Sequence, residues 1–322
     1  MAAMSLPCLY VSRLLPEPVM ADIRARFRLA SEPSAAPPGQ EAMTRGLCEA
    51  DAAIVTLTER IDSLLLARTT RLKVIANCAV GYNNIDVSVA AAHGIVVANT
   101  PDVLTESTAD LAWALLLAAA RRIVEGHGLV RSGAWRGWEP TQLLGSDVSG
   151  KTLGIVGFGR IGRAVARRAL GFSMSVVYVA GHSIPPPPGT PWRQVSLPTL
   201  LTESDFVSLH VPLLPDTHHL IGAKELAMMR PTAFLINTSR GPVVDEAALA
   251  DAVKAGTVAG AGLDVYEREP SVHPALLALP QVVTSPHLGS ATLATRVRMG
   301  MMCVENVLAV LQGRPAPNQI HI

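Results

Sequence analysis

A glycine-rich turn between an apolar run and a helical pattern most constrains the fold of this 322-residue chain. The run TLGIVG (152–157) has the composition of a buried strand, and its last glycine opens a G-x-G-x-x-G spacing. In this context the glycines permit a tight turn, close approach of the backbone to a pyrophosphate, and close helix–strand packing. The amides at the helix start would face the phosphates. The positions assigned to this site are Gly157, Gly159, Arg160, Ile161 and Gly162.

The position that usually carries a ribose-binding carboxylate holds no acid here. Sites for NAD place Asp or Glu about 20 residues after the turn, and the corresponding stretch is VAGHS (179–183), with no acidic residue before Glu203. A carboxylate would repel a 2′-phosphate, whereas His182 and Ser183 could donate hydrogen bonds to one. We therefore predict NADP(H) as the preferred cofactor, with NAD(H) possible. If both are ordinary loop residues, the site tolerates either cofactor.

Short β-rich runs alternate with helical patterns over the whole chain, which favours an α/β fold with parallel sheets. Residues 104–130 have the pattern of one long helix, and the polar stretch 144–151 separates two series of strands. The predicted strands are residues 8–11, 52–55, 72–76 and 95–98 in the first series, and 152–157, 175–179, 206–211, 233–237, 260–265 and 282–285 in the second.

Charge and composition exclude several classes of function. A net charge of +1 gives no general attraction to nucleic acid or anionic membranes. The longest apolar run, residues 111–120, is too short for a membrane span of about 20 residues. The four cysteines lack CxxC spacing, and the N-terminus lacks the pattern of a secretory signal. We therefore expect a cytoplasmic protein that binds no metal, nucleic acid or membrane.

Three reactive side chains follow the glycine turn, each at the carboxyl end of a predicted strand. They are Arg240 in INTSRG, Glu269 in GLDVYEREP and His287 in SPHLGSAT. Ligands of open α/β sheets bind at those ends, so the three side chains would converge on one crevice. A lone histidine is more often structural, and a lone arginine is more often solvated. Three such residues beside a dinucleotide turn favour a catalytic site.

The motifs that contain these residues resemble those of the D-isomer-specific 2-hydroxyacid dehydrogenases. The similar stretches are CAVGYNNID, TPDVLTESTADLAWALLL, GIVGFGRIG, INTSRGPVVDEAAL, AGLDVYEREP and PHLGSAT, and the resemblance covers essentially the whole chain. Within the family, NTPDVLTESTADLAWALLLAAARR and GAWRGWEP are most similar to glyoxylate/hydroxypyruvate reductases. Those enzymes often prefer NADPH and carry Gly-Arg where this chain has Gly181-His182.

The residue types suit the reduction of a 2-keto acid. The planar fork of Arg240 can hold the carboxylate and polarise the ketone. His287 would donate a proton to the carbonyl oxygen as hydride arrives from the nicotinamide, and would accept that proton in the reverse reaction. Glu269 would hydrogen-bond to the imidazole, orient it and raise its pKa, which would keep it protonated near neutral pH.

The resemblance also implies substrate contacts. Val80 and Gly81 correspond to a family loop whose backbone amides bind the substrate carboxylate, because successive amides form an anion-binding concavity; the alternative is a simple turn. Ser290 would lie beside the substrate. Trp138 aligns with a tryptophan that reaches into the neighbouring subunit's active site, where it would narrow the pocket. Alternatively, Trp135 and Trp138 merely pack a dimer interface.

Further cofactor contacts are implied by the same resemblance. Asp264 would contact the nicotinamide side of the cofactor, and its position five residues before Glu269 shows that it is not a second copy of that carboxylate. Thr238 and Gly289 would line the same pocket. Pro212, after the third strand of the second series, would border the adenosine.

We expect two α/β domains, Rossmann-like or flavodoxin-like, with parallel sheets and an active-site cleft between them. The resemblance implies a substrate-binding domain of residues 1–98 and 289–322 and an inserted dinucleotide-binding domain of residues 99–288. The expected protein is a homodimer that reduces glyoxylate or hydroxypyruvate to glycolate or D-glycerate. The alternatives are a related substrate (3-phosphoglycerate or 2-ketogluconate) and a dinucleotide-sensing, corepressor-like binding protein. The lack of a basic patch or long disordered tail disfavours the last.

Overall fold

The structure, a computed structural model, describes residues 6–181, 185–186 and 188–321. The chain divides into two compact units: Met1–Leu104 with Ser290–Ile322, and Thr105–Gly289. The sequence-based boundaries were 98/99 and 288/289. Residues after Ala98 stay with the first unit because the Thr100 N–H donates to the Ala79 carbonyl (3.0 Å), and Val103 and Leu104 pack against that unit's core.

The first unit is built on a parallel five-stranded sheet of order β2-β1-β3-β4-β5. Successive apolar side chains of β1, β3, β4 and β5 enter two different buried clusters, so both faces of the sheet are covered, and strands covered in this way are largely apolar. The strands are β1 (Cys8–Val11), β2 (Arg28–Leu29), β3 (Ala52–Val55), β4 (Val74–Asn77) and β5 (Val96–Ala98). The helices are α1 (Glu17–Arg26), α2 (Gln40–Glu49), α3 (Ser63–Leu66), α4 (Val87–Ala92) and, at the C-terminal end, α12 (Leu293–Leu311).

The second unit is built on a parallel seven-stranded sheet of order β12-β11-β10-β9-β6-β7-β8. Its strands are β6 (Thr152–Val156), β7 (Ser175–Val179), β8 (Arg193–Gln194), β9 (Phe206–Leu209), β10 (Phe234–Asn237), β11 (Gly260–Leu263) and β12 (Val282–Thr284). The strand order reverses beside β6, whose neighbours are β7 and β9. Ligands of open α/β sheets bind at such a switch point.

Helices cover both faces of the seven-stranded sheet. Apolar residues of α5 and α7 share one buried cluster with alternate strand residues, and residues of α8 to α11 share the other. The helices are α5 (Thr105–Ala120), α6 (Ile123–Arg131), α7 (Arg160–Ala169), α8 (Leu197–Glu203), α9 (Ala223–Leu226), α10 (Glu246–Lys254) and α11 (Pro274–Leu277). Across the described ranges, no helix combines the length and apolar character needed to cross a membrane.

The prediction of a single helix over residues 104–130 is wrong. The segment forms α5 and α6, and Arg122 between them has a left-handed backbone with φ of 53°. The Ala120 carbonyl, at the C-terminal end of α5, accepts a hydrogen bond from the Ser146 N–H (2.8 Å). A residue distant in sequence therefore bonds to a carbonyl that would otherwise continue the helix. The Arg122 side chain forms a two-point ion pair with Glu125 (2.9 and 2.7 Å), which supports the start of α6.

Candidate active site

The glycine turn lies between β6 and α7, at the switch point of the sheet. Gly157 has φ of +97°, and a Cβ there would come within 2.6 Å of the His210 carbonyl group. A Cβ on Gly162 would collide with the Gly157 carbonyl oxygen. Both glycines are therefore required by the fold of the turn itself. Among the described residues, a Cβ on Gly159 would meet no atom within 4 Å, so this glycine leaves room for a ligand against the start of α7.

The position predicted to contact the ribose follows β7. Ala180 is half-buried and packs against the cluster of α5 and α7. His182 and Ser183, the predicted donors to a 2′-phosphate, lie outside the described residues. Arg163, which the sequence did not single out, places its guanidinium 5.5 Å from the centroid of the Phe158 ring within the turn. Its Nε donates to the Phe158 carbonyl (3.3 Å), so the Arg163 cation is held beside the glycine turn.

His287 and Glu269 form a hydrogen-bonded pair in the second unit. His287 Nδ1 lies 2.8 Å from Glu269 Oε2, and the two side chains are 25% and 28% exposed. An ionised carboxylate only accepts hydrogen bonds, so Nδ1 carries the proton in this bond. The other carboxylate oxygen, Oε1, accepts the Tyr266 N–H (3.1 Å). The pair therefore has the geometry of an imidazole oriented by a carboxylate.

Glu269 is held in its charged form. Partial burial tends to raise the pKa of this carboxyl, but hydrogen bonding and charge from His287 outweigh it. The Tyr266 N–H and the charge of Arg240 act in the same direction, and the pKa of Glu269 lies below its ordinary value. Of the predicted catalytic residues, Arg240 and His287 thus both lie within electrostatic reach of Glu269.

Arg240 follows β10 in a turn that Asn237 organises. Asn237 donates through Nδ2 to the Arg240 carbonyl (3.0 Å) and accepts the Ser239 N–H through Oδ1 (3.0 Å). The guanidinium donates to the Ser239 carbonyl (2.7 Å). Burial lowers the pKa of Arg240, and the charge of Glu269 opposes this only in part. The guanidinium stays ionised because arginine starts from a very high pKa.

Asp264 clamps the turn that carries His287. Its buried carboxylate accepts hydrogen bonds from Ser285 Oγ (2.6 Å), the Leu288 N–H (2.7 Å) and the Gly289 N–H (2.8 Å). Its backbone carbonyl accepts the His287 N–H (2.9 Å), and His287 has a left-handed backbone with φ of 53°. Residues other than glycine rarely adopt this conformation, so the surrounding bonds must hold it. A contact of Asp264 with a nicotinamide stays a prediction.

The remaining predicted cofactor positions, Thr238 and Pro212, lie on the same edge of this sheet. Thr238 follows β10 directly and is buried, and its Oγ1 has no hydrogen-bond partner in the part of the chain that the structure describes. Pro212 follows β9 and is exposed. The open space at Gly159 and the unpaired Thr238 hydroxyl fit a polar ligand that runs along the carboxyl ends of the strands.

Val80, Gly81 and Ser290 belong to the first unit. Val80 and Gly81 follow β4, and their carbonyls accept hydrogen bonds from Asn99 Nδ2 (2.8 Å) and Asn77 Nδ2 (2.9 Å). Within the described residues, neither of the two backbone N–H groups donates a hydrogen bond. Two successive amides of this kind can bind a carboxylate.

Sequence reasoning missed Tyr266 as part of this site. Its N–H holds Glu269, and its hydroxyl donates to the Ser285 carbonyl (2.9 Å), two residues before His287. It therefore joins the two segments that carry the imidazole and its carboxylate. The sequence feature that could have identified Tyr266 is its position in the motif VYEREP, three residues before Glu269.

A glycine turn at the switch point, with an Arg–Glu–His set at the carboxyl edge of the same sheet, is the arrangement expected of a nucleotide-dependent α/β dehydrogenase. The model of the D-isomer specific 2-hydroxyacid dehydrogenase NAD-binding domain matches residues 113–289. The glyoxylate reductase of Thermococcus litoralis is 47% identical over 98% of this chain and 97% of its own. That of Korarchaeum cryptofilum is 47% identical over 98% and 96%.

Solved structures agree with these relatives. A protein from Thermus thermophilus has 45% identity and a TM-score of 0.93, over 98% of this chain and 100% of its own. An NADPH-dependent glyoxylate/hydroxypyruvate reductase from Sinorhizobium meliloti, solved with NADP and malonate, has 34% identity and a TM-score of 0.85, over 98% and 97%. The chain belongs to the D-isomer specific 2-hydroxyacid dehydrogenase family and is an oxidoreductase with an NAD-binding domain. The family resemblance and the α/β fold with two parallel sheets are confirmed.

Proposed function

We propose that this protein reduces glyoxylate and hydroxypyruvate to glycolate and D-glycerate, with NADPH preferred and NADH accepted. The main support is the 2.8 Å hydrogen bond between His287 Nδ1 and Glu269 Oε2. The charge of Arg240 acts on the same carboxylate. Full-length relatives named glyoxylate reductase support the choice of substrate class. The NADP complex of the Sinorhizobium meliloti enzyme supports the choice of cofactor.

In the proposed reaction each group has a separate task. In the second unit, Arg240 holds the substrate carboxylate and polarises the ketone. In the first unit, the amides of Val80 and Gly81 and the residue Ser290 stay predicted substrate contacts. His287 gives its Nε2 proton to the carbonyl oxygen, and Glu269 stabilises the imidazole through Nδ1. A reduced nicotinamide, when bound, supplies the hydride.

The cofactor is proposed to lie along the carboxyl edge of the seven-stranded sheet. Its phosphates face the amides of the glycine turn, and its nicotinamide end lies near Thr238, Asp264 and Gly289. The support is the space at Gly159 and the unpaired hydroxyl of Thr238. Pro212 borders the adenosine in this arrangement.

Initial rates with a panel of 2-keto acids, each with NADPH and with NADH, test the function directly. We expect the highest kcat/KM with glyoxylate or hydroxypyruvate and NADPH. A higher kcat/KM with a phosphorylated or longer keto acid would show that this acid, and not glyoxylate or hydroxypyruvate, is the substrate. No turnover with any keto acid of the panel would contradict the proposed function.

The ribose position gives a prediction about cofactor choice. Changing Ala180→Asp should raise KM for NADPH and shift preference toward NADH, because a carboxylate there repels a 2′-phosphate and accepts ribose hydroxyls. Ser175→Asp is the matched control, since it adds the same charge at the exposed opposite end of β7. Unaltered NADPH kinetics in Ala180→Asp would show that the ribose lies elsewhere.

We also propose a homodimer formed through α6 and the segment that follows it. No residue of α6 is buried, and six apolar side chains in this region are more than half exposed. A large exposed apolar surface marks an interaction site. In this dimer Trp138, 81% exposed, reaches the neighbouring active site and narrows it. The six side chains are Ile123, Val124, Val130, Trp135, Trp138 and Leu144.

Sedimentation of the wild-type protein should give twice the mass of one chain. Val130→Asp should lower that mass toward one chain, because a charge in an apolar interface is costly to desolvate. Leu64→Asp, at an exposed leucine of the first unit, is the control and should remain dimeric. A wild-type mass of one chain would contradict the dimer.

A further inference from the structure

Glu246 and Glu267 exchange hydrogen bonds in the second unit although neither takes part in the proposed chemistry. The Glu246 N–H donates to Glu267 Oε1 (2.9 Å), and the Glu267 N–H donates to Glu246 Oε1 (2.8 Å). Glu246 is the first residue of α10 and is only 7% exposed. The two carboxylates thus each accept a hydrogen bond from a backbone amide, and these bonds connect the start of α10 to the loop after β11.

The loop held by this exchange carries the partner of the catalytic imidazole. Glu269 lies two residues after Glu267, and its Oε1 accepts the N–H of Tyr266, the residue immediately before Glu267. A displacement of Glu267 would therefore move both the donor to Glu269 and the chain that leads to it. The bond between Glu269 and His287 depends on the same stretch of backbone.

The opposite end of the exchange leads to the substrate-binding arginine. Glu246 follows Arg240 by six residues, and Gly241 packs so tightly on the Tyr266–Glu267 peptide that a Cβ there would collide with it. The exchange therefore connects the segment that carries Arg240 with the segment that carries Glu269. These segments follow β10 and β11, which are neighbours in the sheet.

A histidine lies beside this pair. His219 Nε2 lies 3.2 Å from Glu267 Oε1, and His219 Nδ1 lies 3.9 Å from Asp245 Oδ2. His219 has a left-handed backbone with φ of 49°, and its N–H donates to the Pro242 carbonyl (2.8 Å). The titratable and charged groups around the exchange are His219, Asp245, Arg268 and His273, which line one pocket with the two glutamates, and Arg240, whose charge acts on Glu269.

We propose that Glu267 and Glu246 are positioning residues for keto-acid reduction. Their reciprocal bonds hold the loop so that Glu269 keeps its bond to His287. This inference rests on the proposed function, because it assigns the two glutamates to the reaction proposed for that site.

The test is the pH dependence of kcat and KM for glyoxylate with NADPH in Glu267→Ala. We expect kcat to fall by about 10- to 100-fold with little change in KM, as displacement of catalytic groups does. The acidic limb of the profile should move to higher pH, because a loosened Glu269 loses the contacts with His287 and the Tyr266 N–H that keep its pKa below the ordinary value. Glu267→Gln should recover most of the loss, since the amide oxygen still accepts the Glu246 N–H.

A double variant separates positioning from general loss of structure. In the background of Glu269→Gln, adding Glu267→Ala should produce no further shift of the profile, because both changes act on the same bond. An additional, independent shift would overturn the proposal. Glu225→Ala is the matched control: it removes a carboxylate that accepts a backbone amide, the Gly222 N–H (3.2 Å), at the start of a different helix, α9, and should leave the profile in place.

Circular dichroism and NADPH fluorescence verify that each variant folds and binds cofactor. If Glu267→Ala does not fold, Glu267→Asp replaces it, because the shorter side chain keeps the charge but withdraws from the Glu246 N–H. A native profile in the folded variant would overturn the proposal. A wild-type protein without keto-acid turnover would instead overturn the proposed function.

Discussion

Replacing His287 with alanine should reduce kcat for glyoxylate by about 10²- to 10⁴-fold, the usual contribution of general acid catalysis. KM for NADPH should change little, because the imidazole donates to the substrate oxygen, whereas the cofactor phosphates are proposed to bind at the glycine turn. The structural basis is the 2.8 Å bond from Nδ1 to Glu269, which leaves Nε2 to act as the acid. Steady-state kinetics with glyoxylate and NADPH measure both quantities.

The backbone at this position calls for a second variant. His287 has φ of 53°, which disfavours alanine, whereas asparagine tolerates the left-handed region. His287→Asn should therefore lose activity to a similar extent while it retains the local fold. His93→Ala, at an exposed histidine of the first unit, should behave as the wild type. Near-native kcat in both His287 variants would remove this residue from the mechanism.

Arg240→Lys should lower kcat/KM for keto acids by about 10²- to 10³-fold, similar to the loss of one donor to a developing oxyanion. Lysine keeps the positive charge but lacks the planar fork that can bind the carboxylate and polarise the ketone together. The measurement is kcat/KM for glyoxylate and hydroxypyruvate at saturating NADPH. Arg230→Lys is the matched control, since Arg230 forms a surface ion pair with Asp205 (3.0 Å). Equal kcat/KM in Arg240→Lys and wild type would refute the bidentate role.

Much of the fold was predictable because its signals are local. Strands such as Cys8–Val11 and Ala52–Val55 match the predicted ranges, because strands covered on both faces are apolar over their whole length. The two-residue strands Arg28–Leu29 and Arg193–Gln194 have no such pattern, since they lie at sheet edges and depend on their neighbours. The break between α5 and α6 was missed because Ser146, far along the chain, bonds to the end of α5.

The sequence by itself determined the glycine turn and the three reactive side chains. Glycine spacing is local, and parallel strands end at one edge of their sheet, which brings together the residues that follow them. Only the tertiary structure decided that Asp264 holds the turn of His287, that Tyr266 bonds to Glu269, and that Glu246 pairs with Glu267. Each of these hydrogen bonds requires its donor and acceptor to be placed to within a few tenths of an ångström. That placement depends on the backbone, whose position is set by packing among residues distant in sequence.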